Sequence, residues 1–443
     1  MSNGHLSELR KSLEQKEARL AVIGLGYVGL PVAAMLSDSG FNVIGVEIRA
    51  ERVRLINGGG NPIEGSEPGL SELVAKSVKS RKFRATTDFS ELKDRDVILI
   101  NVETPVDERN IPRYDALLTV LNELGSVLKT GALIIIESTI APGTMNDVVR
   151  PLLEQSSGKQ AGVDFFLGHC PERVMPGKLL RNLRTLSRVV GGMTPETAET
   201  MLSLYRHIVQ ADLDPVDCIT AELVKTVENT YRDVQIAFAN EVALICEAVG
   251  ADVWKVREFV NKSPYRQMHL PGAGVGGHCI PKDPWLLAHS AGRGHIPLRI
   301  IPSARDVNDS MPLHMIDLLE KSFAGSGQAI SKARIAVLGF AYLEDSDDTR
   351  NSPSEVLVHR LRERGATVVI HDPWVDQYNG DLMECVKGAD AAVLMVAHTA
   401  YRDLDLPLLA AALRTPILID GRHFFNPATV QAAGLSYRCL GAA

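Results

Sequence analysis

Short apolar runs alternate with amphipathic stretches along the first half of the chain. The runs Leu20–Ile23, Asn42–Val46, Val97–Val102 and Leu133–Glu137 lack strict alternation of apolar and polar residues. Such runs are typical of strands that are buried on both faces of a parallel sheet. Because helical spacing separates them, the pattern predicts a doubly wound α/β domain of Rossmann type over residues 1–210.

The pattern changes near Thr220, where long helical spacing begins, and a loop rich in Gly and Pro follows at 264–284. Beyond a Gly–Ser linker at Gly325–Gly327, strands and helices alternate again. The four strands predicted there are Ala333–Leu338, Thr367–His371, Ala391–Val396 and Ile417–Ile419. The sequence therefore predicts a central helical domain over 211–318 and a smaller Rossmann-like domain over 319–443.

Composition narrows the class of protein. The 443 residues are 45% hydrophobic and 23% charged, which is ordinary for a chain of folded soluble domains. The net charge of −7, with no dense basic stretch, argues against a nucleic-acid partner. No apolar run approaches the roughly 20 residues that span a bilayer. The first twenty residues are charged and predict a helix, not a signal peptide, and the six cysteines lack zinc-like spacing. A reduced, cytoplasmic setting and no metal are expected.

The first predicted strand leads directly into a glycine-rich turn. The turn has the sequence Gly24-Leu25-Gly26-Tyr27-Val28-Gly29, and a helix is predicted from about Tyr27. Gly24 permits the tight turn, Gly26 lets the backbone approach a pyrophosphate, and Gly29 lets the helix pack on the strand. The N-terminus of that helix would stabilise the diphosphate charge, so the turn predicts a dinucleotide site.

Two residues at the end of the next strand bear on the choice of dinucleotide. Glu47 is placed to accept hydrogen bonds from the adenosine ribose hydroxyls and to repel a 2′-phosphate, which favours NAD. Arg49 could instead hold a 2′-phosphate. With Glu47 beside it, a solvated or adenine-stacking Arg49 is the preferred interpretation.

The stretch from Pro271 to Trp285 carries the most chemical information. Four glycines within 272–277 suggest a backbone that approaches a ligand closely, and Cys279 follows them as a candidate nucleophile. Asp283, four residues further on, could orient a water molecule or a base. A buried structural cysteine is the alternative, but the glycines and Asp283 favour the nucleophile.

Other polar residues lie where a site could form. Lys225 and Asn229 are spaced i,i+4, so one helix face would present a cation and an amide that can hold an oxyanion; ordinary surface polarity is the alternative. Glu172, Thr139 and Thr104 each follow a strand-like run. Because the carboxyl ends of parallel strands meet at one edge, these residues predict a shared site, although the hydroxyls could instead cap helices.

Taken together, these motifs resemble the UDP-glucose/UDP-N-acetylmannosamine dehydrogenase family over nearly the whole chain, and within it the UDP-N-acetyl-D-mannosamine dehydrogenases. The segments that carry the resemblance are Cys170–Gly177, Val189–Thr194, Ala221–Val234, Gly274–Cys279, Gly339–Tyr342 and Asp348–Pro353. The resemblance implies NAD-dependent oxidation of the C6 alcohol of UDP-N-acetyl-D-mannosamine to a carboxylate, through a thiohemiacetal and a thioester on Cys279.

The resemblance also implies residue roles. Lys225 and Asn229 would stabilise oxyanions, Asp283 would activate or position water, and Glu172 and Thr139 would serve acid–base and water-holding functions. The implied cofactor-binding residues are Gly24, Gly26, Tyr27, Val28, Gly29, Glu47, Arg49, Thr104 and Thr139. The implied substrate-binding residues are Glu172, Arg173, Val174, Lys225, Asn229, Arg232, Arg266, Gly276, Tyr342 and Arg350.

Within that family pattern, the central helices imply a homodimer in which Arg266 reaches the partner's substrate. The C-terminal domain implies UDP binding, with Arg350 supplying charge for the diphosphate. Two positions depart from the pattern: Leu343 stands where the family usually has Lys, and Glu103 where it commonly has Pro. These departures put one substrate contact and the local form of a cofactor loop in doubt.

Several alternatives stay open at this point. UDP-N-acetylglucosamine or UDP-glucose could be the substrate, because the motifs do not report the stereochemistry at C2. A two-electron hydroxyacid dehydrogenase also joins a dinucleotide fold to helices with Lys and Asn, but Cys279 and the third domain count against it. A non-catalytic nucleotide-binding protein is disfavoured by the intact set of candidate catalytic residues.

Overall fold

A computed structural model describes residues 2–65, 67–324 and 327–442 of the chain. Gly325 and Ser326 of the predicted linker lie outside the described residues. The chain forms two compact units, which are Met1–Glu228 with Trp285–Ile296, and Asn229–Pro284 with Pro297–Ala443. In the described part of the chain, no helix is both long and apolar enough to span a membrane.

The first unit is built on a large sheet. Its strands are β1 (Arg19–Ile23), β2 (Asn42–Val46), β3 (Phe83–Thr86), β4 (Val97–Ile100), β5 (Ala132–Ile136), β6 (Phe165–His169), β7 (Arg188–Gly192) and β8 (Leu213–Asp217). Among the described residues they lie in the order β3-β2-β1-β4-β5-β6-β7-β8. The first six reproduce the strand order of a dinucleotide-binding sheet. Every neighbouring pair is parallel except β6 and β7, a reversal that the apolar pattern could not predict because it does not encode strand direction.

Helices cover both faces of this sheet. They are α1 (Ser2–Glu14), α2 (Gly29–Asp38), α3 (Ala50–Asn57), α4 (Leu70–Lys79), α5 (Asp115–Val127), α6 (Arg150–Ser157), α7 (Leu179–Thr185) and α8 (Pro195–Tyr205). Successive strand residues point to opposite faces. Accordingly, Leu20 and Val22 of β1 belong to one apolar cluster and Ala21 and Ile23 to another. This double burial explains why the strands read as continuous apolar runs.

The helical middle consists of α9 (Cys218–Val249), α10 (Val253–Lys262), α11 (Asp283–Ala291) and α12 (Ile300–Phe323). The long helical stretch predicted from Thr220 is divided into α9 and α10. Gly250 has a φ of +77° just after α9, a conformation that ends helices and favours glycine. Asp252 then accepts hydrogen bonds from the N–H groups of Trp254 and Lys255 and starts α10.

A smaller sheet lies in the second unit. Its strands are β9 (Arg334–Leu338), β10 (Thr367–His371), β11 (Ala391–Leu394), β12 (Ile417–Asp420) and β13 (Ser436–Cys439), and its helices are α13 (Pro353–Glu363), α14 (Leu382–Val386), α15 (Leu406–Ala412) and α16 (Pro427–Ala432). The described strands are all parallel, in the order β10-β9-β11-β12-β13. The order reverses between β9 and β11, and ligands of open α/β sheets bind beyond the carboxyl ends of strands at such a point.

Candidate active site

The glycine turn after β1 has the geometry of a dinucleotide site. Gly24 has a φ of +86°, and a Cβ atom there would lie 2.4 Å from the carbonyl oxygen of Asn101. A Cβ at Gly29, the first residue of α2, would lie 2.0 Å from the carbonyl oxygen of Gly24. At Gly26, by contrast, a Cβ would meet no described atom within 4 Å. The turn is therefore closed where the protein packs on itself and open where a pyrophosphate would approach.

The helix after the turn begins slightly later than the sequence suggested. It starts at Gly29 and not near Tyr27, and no side chain caps it at Val28. Leu30 donates its N–H to the carbonyl oxygen of Gly26 at 3.2 Å and Val32 donates to that of Val28 at 3.1 Å, so the turn continues directly into the helix whose N-terminus would face a diphosphate. Tyr27 and Val28 are half-buried and pack against the apolar cluster on one face of the sheet.

The acid at the end of β2 is held in place by a residue that the sequence reading did not single out. Glu47 is only 7% exposed, and Arg52 Nε lies 3.5 Å from Glu47 Oε2. Arg52 also donates from Nη2 to the carbonyl oxygen of Leu25 at 2.9 Å. Arg52 thus ties the acid to the glycine turn, whereas the Arg49 side chain is largely exposed. The position of Arg52 on α3, five residues after Glu47, was the signal in the sequence that could have identified this contact.

The loops that follow β4 and β5 are joined by hydrogen bonds. Thr104 Oγ1 donates to the carbonyl oxygen of Thr139 at 2.6 Å, and Ser138 Oγ donates to that of Val102 at 2.6 Å. The structure therefore brings together Thr104 and Thr139, two of the predicted residues at strand ends. Glu103, one of the departures from the family pattern, is exposed in the same loop.

A buried charged cluster lies beneath these loops and was not predicted as a group. Glu137 accepts hydrogen bonds from Asn101 Nδ2 and from the hydroxyl of Tyr205, each at 2.7 Å, and Arg188 Nη1 lies 3.7 Å away. Burial raises the pKa of Glu137, although Arg188 and the hydrogen bonds oppose the shift. Because its partners come from distant parts of the chain, a lone Glu at the end of an apolar run was the only local signal.

The loop between β6 and α7 carries three predicted substrate residues. Lys225, which is 6% exposed, donates from Nζ to the carbonyl oxygen of Glu172 at 2.7 Å. Glu172 Oε2 accepts from the N–H of Val174 at 2.5 Å. Arg173 donates to Glu228 Oε2 at 2.7 Å. The structure thus places Lys225 against the predicted loop, with its ammonium on a backbone carbonyl.

In the second unit, Asn229 and Asp283 meet directly. Asn229 Nδ2 donates to Asp283 Oδ2 at 2.5 Å. The Asp283 side chain is fully buried, and its Oδ1 lies 3.5 Å from Lys282 Nζ. Within the described residues, that Oδ1 has no hydrogen-bond partner. A buried acceptor without a hydrogen bond is costly unless a ligand or water completes it, so this atom marks a place for one.

Cys279 lies at the entrance to α11. Its side chain is exposed, and its carbonyl oxygen accepts hydrogen bonds from the N–H groups of Lys282 at 3.1 Å and Asp283 at 2.9 Å. Cys279 therefore precedes the first turn of a helix, where the helix dipole favours a thiolate. This placement suits a nucleophile better than a buried structural cysteine.

The glycines before Cys279 also lie close to protein atoms, which the sequence did not predict. A Cβ at Gly276 would lie 2.6 Å from the Cβ of Tyr342, and one at Gly277 would lie 2.7 Å from the Tyr342 ring. Gly277 also donates from its N–H to the carbonyl oxygen of Arg350 at 2.9 Å. These glycines therefore allow the thiol loop to pack closely against the loop after β9.

The other predicted residues of the second unit lie around this loop or on the surface. Arg350 Nε donates to Asp348 Oδ1 at 2.9 Å, so its guanidinium has a carboxylate partner. Burial, followed by the charge of Asp348, raises the pKa of Tyr342 to about 12. Arg232 and Arg266 are exposed. Tyr265, beside Arg266, is 98% exposed.

The turn after β9 is held by an acid at the end of β10. Asp372 Oδ2 accepts from the N–H groups of Phe340 at 2.6 Å and Ala341 at 2.8 Å, and from His398 Nε2 at 3.0 Å. Glu47 occupies the corresponding strand end in the first unit. Because Asp372 is fully buried and its oxygens accept hydrogen bonds from protein donors, it is not available to a ribose.

Comparison with known proteins gives matches along most of the chain. Models of the UDP-glucose/GDP-mannose dehydrogenase family match residues 18–209 (NAD binding domain), 219–310 (central domain) and 336–427 (UDP binding domain). A UDP-N-acetyl-D-mannosamine dehydrogenase of Pyrococcus horikoshii is 39% identical and covers 96% of this chain and 99% of its own length.

Solved structures give the same picture. The structure of a UDP-D-ManNAc dehydrogenase from Pyrococcus horikoshii matches with a TM-score of 0.89 at 38% identity, over 96% of this chain and 99% of that one. An NDP-N-acetyl-D-galactosaminuronic acid dehydrogenase from Methanosarcina mazei matches with a TM-score of 0.86 at 36% identity, over 98% of both chains.

Proposed function

The chain belongs to the UDP-glucose/GDP-mannose dehydrogenase family, and from that premise we propose that it oxidises the C6 alcohol of UDP-N-acetyl-D-mannosamine to a carboxylate. The family and the relatives make it an NAD-dependent UDP-sugar dehydrogenase. The choice of sugar and the thioester route are the proposal. The sugar is supported by the names of the relatives, and the route by the residues around Cys279.

The first unit fits NAD. The turn Gly24–Gly29 is open at Gly26, and Arg52 holds Glu47 at the strand end where the ribose hydroxyls would bind. When bound, NAD supplies a hydride acceptor for C6, and two molecules are needed to take an alcohol to a carboxylate. Thr104 and Thr139, which are joined by a hydrogen bond, border the same edge of the sheet.

The proposed route keeps the aldehyde bound to the protein. The alcohol loses a hydride and a proton to give the aldehyde. The sulfur of Cys279 then forms a bond to the aldehyde carbon while the aldehyde oxygen takes up a proton. The thiohemiacetal loses a second hydride and a proton to give a thioester. Water attacks the thioester carbon, the C–S bond breaks, and the carboxylate leaves with the thiol restored. The sum is one alcohol, two NAD and one water giving one carboxylate, two NADH and three protons.

The observation that carries this route is the placement of Asp283. It is fully buried, anchored by Asn229, and lies one helical turn after Cys279, and its Oδ1 accepts no hydrogen bond from a described residue. A carboxylate held in this way can position the water that hydrolyses the thioester and take its proton. Asn229 has a second amide hydrogen, which together with the Lys225 ammonium we assign to oxyanion stabilisation.

The remaining assignments follow the family pattern. We propose that Glu172 and Thr139 contribute acid–base and water-holding functions. The substrate contacts are assigned to Glu172, Arg173, Val174, Lys225, Asn229, Arg232, Arg266, Gly276, Tyr342 and Arg350. Arg350 would contact the diphosphate after exchanging Asp348 for it. The assignment of domains to 1–210, 211–318 and 319–443 is part of the same proposal and is supported by the three matched models.

We also propose a homodimer through α9. Tyr231, Phe238 and Ile245 recur every seven residues on this helix and are 65%, 59% and 54% exposed. Large apolar side chains in a stripe with this spacing are typical of a helix that packs against another helix. The occupant we assign is a second copy of the chain, and Arg266 would then contact the partner's substrate.

The proposal predicts the stoichiometry of the reaction. Purified protein is incubated with NAD and UDP-N-acetyl-D-mannosamine, and NADH absorbance is compared with the uronate measured by mass spectrometry. Two NADH per uronate are expected, with a loss of at least about a thousandfold in kcat for Cys279→Ser, because an oxygen nucleophile cannot form the thioester. Cys385→Ser, at a half-buried cysteine of α14, is the matched control.

The outcomes separate the substrate from the mechanism. Turnover of UDP-N-acetylglucosamine, UDP-N-acetylgalactosamine or UDP-glucose, but not of UDP-N-acetyl-D-mannosamine, would overturn the sugar and keep the route. One NADH per product would overturn the four-electron reaction. Full activity of the Cys279→Ser variant would overturn the thioester.

A further inference from the structure

Glu67 lies in the loop between α3 and α4, and its carboxylate joins two other loops of the first unit. Oε1 accepts hydrogen bonds from the hydroxyl of Tyr27 and from the N–H of Gly177 at 2.8 Å. Oε2 accepts from the N–H of Leu179 at 3.1 Å. Glu67 is separated from Tyr27 by 40 residues and from Gly177 by 110, so only the fold brings the three groups together.

The two loops have different assigned functions. Tyr27 lies inside the turn Gly24–Gly29, next to the open position at Gly26. Gly177 lies near the end of the loop that begins after β6 and carries the proposed substrate residues Glu172, Arg173 and Val174, and Leu179 is the first residue of α7. One side chain therefore contacts both the cofactor turn and the substrate loop. Val28, next to Tyr27 in the turn, and Val174, in the substrate loop, also pack against the same core cluster.

A carboxylate is well suited to this position. An ionised Glu offers two acceptor oxygens and no donor, and hydrogen bonds to a charged acceptor are roughly twice as strong as those between neutral groups. A glutamine would keep one acceptor oxygen and present an NH2 group to a backbone N–H. Glu67→Gln therefore loses at least one of the two backbone N–H contacts, at Gly177 or at Leu179, and weakens the remaining hydrogen bonds, while its size is conserved.

We propose that Glu67 is a positioning residue of the reaction, which couples the cofactor turn to the substrate loop through Tyr27 on one side and Gly177 and Leu179 on the other. A shift of the loop at 172–178 changes the fit of the UDP-sugar. Because the Glu67 carboxylate is hydrogen-bonded to this loop and to Tyr27, the same shift also displaces the turn that binds NAD. This inference rests on the proposed function, because the substrate role of Glu172 and Arg173 comes from it.

The test compares KM and kcat for both substrates in the full chain. Glu67→Gln is expected to raise KM for NAD and KM for the UDP-sugar by about fivefold or more, with kcat within about threefold of the wild type. Tyr27→Phe removes only the hydroxyl contact. It is expected to raise KM for the UDP-sugar by about two- to fivefold although Tyr27 lies in the cofactor turn. Glu72→Gln, an exposed acid on α4, is the matched control and should leave all constants unchanged.

Three outcomes would overturn the proposal. The first is that Glu67→Gln leaves both KM values within twofold of the wild type. The second is that Tyr27→Phe changes KM for NAD alone. The third is a fall in kcat with unchanged KM and a lowered melting temperature, which indicates a purely structural role. If the wild type oxidises none of the sugars, the proposed function fails. Calorimetric titration of NAD with and without UDP then decides on Glu67, because equal coupling in wild type and Glu67→Gln would overturn it.

Discussion

Asn229 shows how the environment of a single residue refines its role. The sequence suggested an amide that binds an oxyanion, and the structure shows that one of its hydrogens is already given to Asp283 at 2.5 Å. An amide has two N–H donors, so Asn229 can hold the carboxylate and still donate to a ligand. The residue therefore links the acid that would position water with the proposed oxyanion site.

Removal of this amide is expected to affect catalysis more than binding. Asn229→Ala leaves a fully buried carboxylate without its donor and removes an oxyanion contact, so kcat should fall by about 10²- to 10³-fold. Glu241→Ala, at an exposed position of α9, provides the control for changes to the helix. Steady-state and single-turnover NADH formation measure the effect. If Asn229→Ala and Glu241→Ala have equal kcat, the assigned role is wrong.

At the scale of elements, α9 carries the surface that decides oligomerisation. Phe238, at the middle of the stripe defined by Tyr231, Phe238 and Ile245, is 59% exposed in the single chain. Exposed aromatic side chains in such a stripe cost free energy in water unless a partner covers them. A buried charge at this position would oppose the contact.

Phe238→Glu is therefore expected to produce a monomer, as measured by light scattering after size exclusion. Because Arg266 is assigned to the partner's substrate, the monomer should also lose activity. Mixing Arg266→Ala with Cys279→Ser should restore about a quarter of the wild-type activity, since one site of the mixed dimer receives both native residues. Lys255→Glu, at an exposed position of α10, is the charge control. A dimeric Phe238→Glu protein would contradict this interface.

At the scale of the whole molecule, each unit contains a histidine that burial keeps neutral. Burial, more than any neighbour, lowers the pKa of His169 in the first unit from 6.5 to about 4. Burial, aided by Lys282 and Arg350, lowers the pKa of His278 in the second unit from 6.5 to about 4. Between pH 6.5 and 4 the unfolded chain therefore binds more protons at these positions than the folded chain does, and the free energy of unfolding falls as the pH falls.

The contribution of His278 can be measured as a difference. A shift from 6.5 to about 4 corresponds to a loss of about 2 kcal/mol of stability between pH 7 and pH 5. His278→Gln should remove that loss in urea denaturation followed at both pH values. His359→Gln, an exposed histidine of α13, is the control. An undiminished loss in His278→Gln would show that this histidine is protonated in the folded protein.

The order of strands, helices and glycine turns along the chain could be predicted from the sequence, because each of these elements depends on residues that are neighbours in the sequence. The apolar runs predicted β2 and β10 with their observed bounds, since most residues of a parallel strand that is covered by helices are apolar and adjacent in the sequence. The turn at Gly24–Gly29 was recognisable because positive φ and close packing at fixed spacing leave glycine as the residue that fits. The nature of the candidate chemistry was equally local, since it depends on which side chains are present.

The tertiary structure alone decided which groups meet. Glu67 contacts Gly177 across 110 residues, Asn229 contacts Asp283 across 54, and the reversed strand β7 leaves no mark in the apolar pattern. The glycines before Cys279 predicted a backbone that approaches a ligand, because the sequence shows that something lies close to them and not what it is. The fold shows that Tyr342 lies close to two of them. Periodicity reports how a segment is buried, whereas partners, strand direction and the satisfaction of buried polar atoms depend on the packing of segments that are distant in the sequence.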